Sequence, residues 1–239
     1  MSATEQERVL PEQHHDHRDV TGGWLRPAVF GVTDGLVSNT ALLAGVAAGG
    51  AGPRVLVLIG LAGLAAGAFS MAAGEYTSVA SQTELTRAEI EIEKAEIRRV
   101  PKAEEAELAG IFRARGVDAS TARDVARQLS ADPEQAWRVH AREELGVDPD
   151  DLPSPWTASG ASFAAFSVGA LVPVLPYLFG AVTLLLPVLL AALALFASGV
   201  LVSRFTDRTA LYSGLRQLLL GAAAAAVTYG IGSLVGGGF

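Results

Sequence analysis

The 239-residue chain contains no cysteine, and this absence removes several kinds of chemistry. Without thiols, the protein has no disulfide framework, no thiolate metal site and no cysteine nucleophile. A bound metal must therefore be held by oxygen, imidazole or thioether groups, which suit Fe²⁺, Mn²⁺ or Zn²⁺ better than Cu⁺.

Histidine is nearly as scarce: the chain has four, and His14, His15 and His17 lie in the polar segment 1–23. A ferritin-like di-iron site needs two Glu-x-x-His pairs, which the one remaining histidine does not supply. The sequence therefore predicts that the protein is not an enzyme. Two interpretations of segment 1–23 stay open, a disordered tail and a weak metal-capture segment.

Charge is missing from two long stretches, 55–74 and 156–203. The first is about as long as a bilayer-spanning helix, and the second is long enough for two. Half of the residues are apolar and the mean hydropathy is +0.35, which is too hydrophobic for an ordinary soluble domain. We therefore predict an all-α integral membrane protein with five transmembrane helices. They are expected near 28–49, 55–74, 158–176, 181–203 and 211–235.

A polar segment separates the second and third predicted spans, and residues 76–152 carry 17 acidic against 11 basic side chains. This excess favours cations, and not nucleic acid, as partners. Because residues 75–100 contain no proline or glycine, the second helix is expected to project well beyond the bilayer. Further helices are expected to start at Pro101, at Ser120 as a cap, and at Pro133.

The predicted organisation has four parts: a polar N-terminal tail at 1–23, transmembrane helices 1–2 at 24–80, a helical insert at 81–152 and transmembrane helices 3–5 at 153–239. Arg26, Arg204, Arg208 and the insert fall on one face of the predicted membrane region, and only Arg54 falls on the other. The positive-inside rule therefore predicts a cytoplasmic N-terminus and a cytoplasmic insert. The absence of targeting features favours a plasma (inner) membrane over a vacuole.

A single acidic residue, Asp34, interrupts the first predicted span. Inserting a carboxylate there costs about 2.5–3.5 kcal/mol, which indicates a functional role on a cation path. Met71 and Glu75 lie one turn apart on the second span and share a face. Core packing also explains the methionine, and a position at the membrane interface also explains the glutamate. The predicted transport path consists of Asp34, Met71 and Glu75.

Acidic side chains in the insert recur at spacings of three, four and seven residues, which places the members of each group on one helix face. Like charges at these spacings destabilise an isolated helix, and a bound divalent cation would reverse that effect. A solvated acidic face is the alternative, because glutamate is a good helix former. The spacing does not show whether the helices converge. The candidate metal ligands are Glu89, Glu93 and Glu96 on the first helix, Glu104 and Glu107 on the second, and His140 and Glu144 on the last.

Four motifs resemble the vacuolar iron transporter family, which includes the yeast-type calcium-cross-complementing and the nodulin-like iron and manganese transporters. The motifs are GVTDGLVSN at 31–39, AAGAFSMAAGEY at 65–76, LVPVLPY at 171–177 and SGLRQLLLGAAAAAVTYGIG at 213–232. The resemblance implies a homodimer of five-span subunits that exchanges protons for Fe²⁺, and often Mn²⁺, out of the cytoplasm. It matches Asp34 and Met71 to the family's membrane aspartate and methionine. The matching glutamates of the insert are Glu93, Glu96, Glu104, Glu107 and Glu144.

Two positions depart from the family pattern. Gly63 stands where the plant-type transporters have a membrane glutamate, and two interpretations stay open: Glu75 takes over that role, or proton coupling differs. His140 stands where the family's insert has a methionine. Imidazole is a harder ligand than a thioether and titrates near neutral pH, so the metal preference and the pH dependence are expected to shift.

The expected function is export of Fe²⁺ and/or Mn²⁺ from the cytoplasm, by exchange for protons, with the metal as substrate and no cofactor. The lipid bilayer, protons and a second copy of the chain are the other expected partners. The sequence does not rank Fe²⁺ against Mn²⁺ and leaves Zn²⁺ and Co²⁺ open. The alternative is a membrane-anchored protein that binds or senses metal without transporting it.

Overall fold

A computed structural model of the chain describes residues 23–236 and contains nine α-helices in that range. His14, His15 and His17, the candidate metal-capture residues, lie outside the described residues. The helices, in chain order, are α1 (Leu25–Ala48), α2 (Pro53–Arg99), α3 (Pro101–Ala114), α4 (Ala119–Leu129), α5 (Pro133–Glu143), α6 (Pro155–Leu171), α7 (Leu175–Leu178), α8 (Leu185–Ser203) and α9 (Ala210–Gly236).

Four helices in the described part of the chain, α1, α2, α8 and α9, are long and apolar enough to cross a membrane. The prediction of an all-helical membrane protein is therefore confirmed at this level. The remaining predicted span corresponds to α6, which has 17 residues and packs against both α1 and α2. This helix ends at Leu171, five residues before the predicted end at 176, because Pro173 has no N–H group to continue the helical hydrogen bonds.

Glycines allow α1 and α6 to approach closely. Gly35 lies against the backbone carbonyl of Phe166, and a Cβ at position 35 would lie 2.8 Å from the amide nitrogen of Ala170. Gly169 makes the reciprocal contact, since its Cβ would lie 3.0 Å from the amide nitrogen of Leu36. The crossing of these two helices therefore depends on residues without side chains.

Gly35→Ala is expected to destabilise the protein by about 1–3 kcal/mol, because the added methyl group must displace the backbone of α6. The free energy of unfolding in detergent measures the effect. Gly74→Ala on α2 is the matched control, because its Cβ would meet no atom within 4 Å. Equal stabilities of the two variants would contradict this account of the helix crossing.

The long helix α2 connects the membrane region to the insert, since its 47 residues run without a break from Pro53 to Arg99. The distal part of α2 packs against α3 and α5, and α3 packs against α4. A small apolar core of Leu108, Ala109 and Ala126 joins α3 to α4. An unbroken second helix followed by short packed helices is thus observed, as the chain pattern predicted.

Caps define the short helices of the insert. Pro133 occupies the first turn of α5, as predicted, and Asp132 caps the helix. The prediction that Ser120 caps α4 is wrong: Asp118 holds that position, and its Oδ1 accepts hydrogen bonds of 3.0 Å from the amides of Ser120 and Thr121. A carboxylate two residues earlier reaches the free amides of the first turn as well as a serine would.

Candidate metal centre

Three side chains from three different helices converge in the insert: Glu93 of α2, Glu104 of α3 and His140 of α5. Each offers one ligand atom, and these atoms all lie within 4.8 Å of one another. All three side chains are buried, and His140 is completely inaccessible to solvent. Acidic residues are rarely buried without a partner, so this cluster requires a physical explanation.

Local sequence places these groups on buried helix faces. On α2, Ile90, Glu93 and Ile97 form the buried stripe at the level of the insert, so the carboxylate occupies a position where an apolar side chain is expected. His140 likewise lies on the buried face of α5. A glutamate within an isoleucine stripe was the sequence signal that separates Glu93 from its solvent-exposed neighbours.

The cluster is not a closed hydrogen-bond network. His140 Nδ1 lies 2.9 Å from Glu93 Oε1, and oxygens of Glu144 and Glu104 lie 3.7 and 4.0 Å from the same nitrogen. The contact of His140 Nδ1 with Glu93 Oε1 is close but is not aligned as a hydrogen bond, and His140 Nε2 has no hydrogen-bond partner within residues 23–236. A buried polar atom without a partner costs about 1–3 kcal/mol. A divalent cation would satisfy these atoms, and oxygen and imidazole ligands suit Fe²⁺, Mn²⁺ and Zn²⁺.

Electrostatics make the cluster unfavourable without a cation. Burial raises the pKa of Glu93 to about 7, and repulsion from nearby carboxylates adds to this effect. These carboxylates belong to Glu144, Glu104, Glu96 and Glu107. Burial, followed by repulsion from its acidic neighbours, also raises the pKa of Glu104. Five of the seven candidate ligands, all of them glutamates, are therefore near enough to interact through charge. His140, a sixth candidate, is surrounded by them.

The remaining candidates lie further out. Glu96 and Glu107 are exposed, although their charges contribute to the raised pKa of Glu93. Glu89 is also exposed, and it is not among the carboxylates that raise the pKa of Glu93. The predicted acidic face thus comprises a buried group and a more accessible rim around it.

The metal-free insert is expected to lose stability as pH rises. The pKa of Glu93 in the folded state, about 7, lies above its ordinary value of 4.5, so the folded state binds a proton more tightly than the unfolded state does. Stability is then greatest below about pH 4.5 and falls by at most about 3 kcal/mol as pH approaches 7.

Thermal unfolding at pH 5 and pH 7.5 in the presence of chelator checks this expectation, with the fluorescence of Trp137 reporting on α5. Trp24 and Trp156 are replaced by phenylalanine so that the signal comes from the insert alone. Glu93→Gln is expected to flatten the pH dependence. A metal-free insert that is more stable at pH 7.5 than at pH 5 would contradict the sign.

The three predicted path residues of the membrane region have different surroundings. Asp34 is half-buried on α1. Met71 packs against the apolar cluster between α2 and α6. Glu75 lines a cavity of about 540 Å³ together with Thr33 of α1 and Gln217 of α9. Asp34 does not line this cavity, although its chain neighbour Thr33 does.

Gly63, where a family glutamate is absent, lies against α1. A Cβ at this position would lie 2.7 Å from Leu42 Cδ2 and 2.9 Å from Asn39 Oδ1, so a glutamate there would require both side chains to move. Asn39 is buried, and its amide nitrogen donates to the carbonyls of Gly60 at 3.1 Å and Ala170 at 2.6 Å. Sequence reasoning missed this three-helix connection, although a carboxamide inside an apolar span was its signal.

Known proteins resemble the chain over most of its length. A family model described as the VIT family matches residues 25–233. Vacuolar iron transporter 1 of Eucalyptus grandis is 34% identical over 98% of this chain and 94% of its own length. Vacuolar iron transporter 2 of Oryza sativa subsp. japonica is 32% identical over 97% and 95%. The vacuolar iron transporter of Acanthamoeba castellanii is 40% identical over 90% and 79%.

These relatives correct one expectation and confirm two. Their names point to a vacuolar membrane, so the predicted plasma (inner) membrane is wrong. The missing targeting features on which it was based do not distinguish one multi-pass membrane location from another. The relatives are named as transporters, which confirms the expectation of a protein that is not an enzyme. The resemblance inferred from the four motifs is confirmed as well: the chain belongs to the VIT family.

Proposed function

We propose that the protein is a divalent metal transporter that exports Fe²⁺, Mn²⁺ or both from the cytoplasm in exchange for protons. The observation that carries this proposal is the buried convergence of Glu93, Glu104 and His140 from three helices, because Glu93 lies on α2, the helix that continues from a membrane span. The names of the relatives support iron as a substrate. The ligand types do not exclude Zn²⁺ or Co²⁺ as further substrates.

Transport begins at the insert in this proposal. Its acidic rim attracts divalent cations, and the buried group binds them. Eighteen residues of continuous helix separate Glu93 from Glu75, a distance of roughly 27 Å at the helical rise of 1.5 Å per residue. The metal then passes to Glu75, Met71 and Asp34. Protons from the far side release it, because a carboxylate oxygen that binds a proton is a poor metal ligand.

The architecture that fits this transport has five spans and an insert on the cytoplasmic side. Counting α6 as a span is supported by its position between α1 and α2 and by the absence of charge from residues 156–203. An odd number of spans places the two termini on opposite sides of the membrane. We further propose a homodimer, in which a second copy of α1 brings a second Asp34 to the path.

Reconstitution in liposomes tests the function. Protein inserted in vesicles with an imposed pH gradient is expected to move Fe²⁺ or Mn²⁺ against the direction of the proton flow, and a proton ionophore is expected to remove the driving force. Flux that does not respond to the pH gradient would contradict proton exchange. Metal binding by the purified protein together with silent liposomes would favour the metal-binding or sensing alternative.

A further inference from the structure

A cavity lies between three helices of the membrane region, α1, α2 and α9. Its volume is about 540 Å³. Apolar side chains, among them Phe30 and Leu220, form most of its wall, and its polar lining comprises Arg26, Thr33, Glu75 and Gln217. Of these four residues, the transport path proposed above uses only Glu75.

Gln217 is the unexplained residue of this cavity. It lies in α9, a helix apolar enough to cross a membrane, where a carboxamide is costly unless its polar atoms have partners. Its Nε2 donates to Thr33 Oγ1 across the α1–α9 contact at 3.3 Å. With the nitrogen engaged in this way, the carboxamide oxygen is the atom left to interact with whatever occupies the cavity.

The chemistry of the lining selects a class of ligand. A carboxylate, a carboxamide oxygen and a hydroxyl oxygen are hard donors, the kind that bind divalent cations which keep part of their water shell. The guanidinium of Arg26 shares the cavity with Glu75, so one positive and one negative charge balance there before a cation arrives. The cavity has room for a cation with several waters, and its lining residue Thr33 directly precedes Asp34 on α1.

We infer that this cavity is an outer binding site for the transported divalent cation, in which Gln217 and Thr33 supply neutral oxygen ligands beside the carboxylate of Glu75. The inference rests on the proposed transport function and adds α9 to the path. Gln217 then governs how tightly the cation is bound on its way to Asp34. Thr33 holds the carboxamide in the orientation that directs its oxygen into the cavity.

Kinetics of Mn²⁺ flux in liposomes test the assignment. Gln217→Leu is expected to raise the KM for Mn²⁺ by about 10-fold, the effect of losing a group that binds or orients a metal. Gln217→Glu retains an oxygen donor and is expected to keep the KM at or below that of the unchanged protein. If Gln217 served helix packing alone, the negative charge that glutamate introduces between α1 and α9 would be at least as harmful as leucine.

Thr228→Val is the matched control, because it removes another hydrogen bond between α9 and α1 without altering the cavity. The Thr228 hydroxyl donates to the Ala41 carbonyl at 2.6 Å, and neither residue lines the cavity. Its KM is expected to be unchanged. An unchanged KM in Gln217→Leu, or an equal rise in Thr228→Val, would overturn the outer site while leaving the transport function intact. Absence of flux from the unchanged protein would instead overturn the transport function, and the site with it.

Discussion

Asp34→Asn is expected to lower metal flux by at least about 100-fold. Asp34 is the one acidic residue of α1 and is half-buried, and its chain neighbour Thr33 lines the cavity that contains Glu75. Asparagine has nearly the same shape, but it neither offsets the charge of a divalent cation nor exchanges a proton. Replacing a group that only orients a metal ligand already lowers metal affinity or activity by about 10–100-fold. Replacing a direct charged ligand is therefore expected to cause a loss at or above the upper end of that range.

Initial rates of Mn²⁺ and Fe²⁺ uptake into liposomes measure this effect, with the amount of inserted protein determined for each variant. Ser38→Ala provides the matched control, since Ser38 lies one turn further along α1 and its hydroxyl donates to the backbone carbonyl of Asp34 at 2.6 Å. The control removes a polar group from the same helix and leaves the carboxylate in place. Undiminished flux in Asp34→Asn would remove Asp34 from the path.

The sequence predicted the helices of this protein more successfully than it predicted how their side chains are used. Apolar runs and the missing proline and glycine indicated α1, α2, α8 and α9, together with the extension of α2 beyond the membrane. The position of Asp118 relative to the first turn of α4 was missed, because serine and aspartate both cap helices and the two candidates lie two residues apart. The early end of α6 depended on Pro173 and could have been read from the sequence.

Convergence of the insert helices could not be predicted from spacing. Glu89, Glu93 and Glu96 are equivalent by helical periodicity, yet only Glu93 is buried, because the contact with α5 covers a narrow stripe of α2. The pairing of Gln217 with Thr33 joins residues 184 positions apart in the chain. Such contacts depend on how whole helices pack against one another, and a local sequence pattern does not predict that packing. Met71 shows the same limit, since its packing against α6 depends on where that helix crosses α2.

Glu93→Gln is expected to weaken metal binding by the insert by about 100-fold or more while it stabilises the metal-free protein. Both effects come from the negative charge of Glu93, which attracts a bound cation but destabilises the metal-free protein. Ionised Glu93 is unfavourable in the apo state, as its pKa of about 7 records, and a cation converts this repulsion into attraction. Glutamine removes the repulsion and the attraction together.

Mn²⁺ bound by the purified full chain, measured from the electron paramagnetic resonance signal of the free ion, gives the first effect, and thermal unfolding with chelator at pH 7.5 gives the second. Glu84→Gln is the matched control on the same helix, because Glu84 is exposed and far from the buried group. A variant that lost both metal binding and stability would indicate that Glu93 holds the insert together. Weaker binding with greater stability would instead identify a carboxylate retained for its ligand chemistry, because a fold selected for stability alone would place an apolar residue between Ile90 and Ile97.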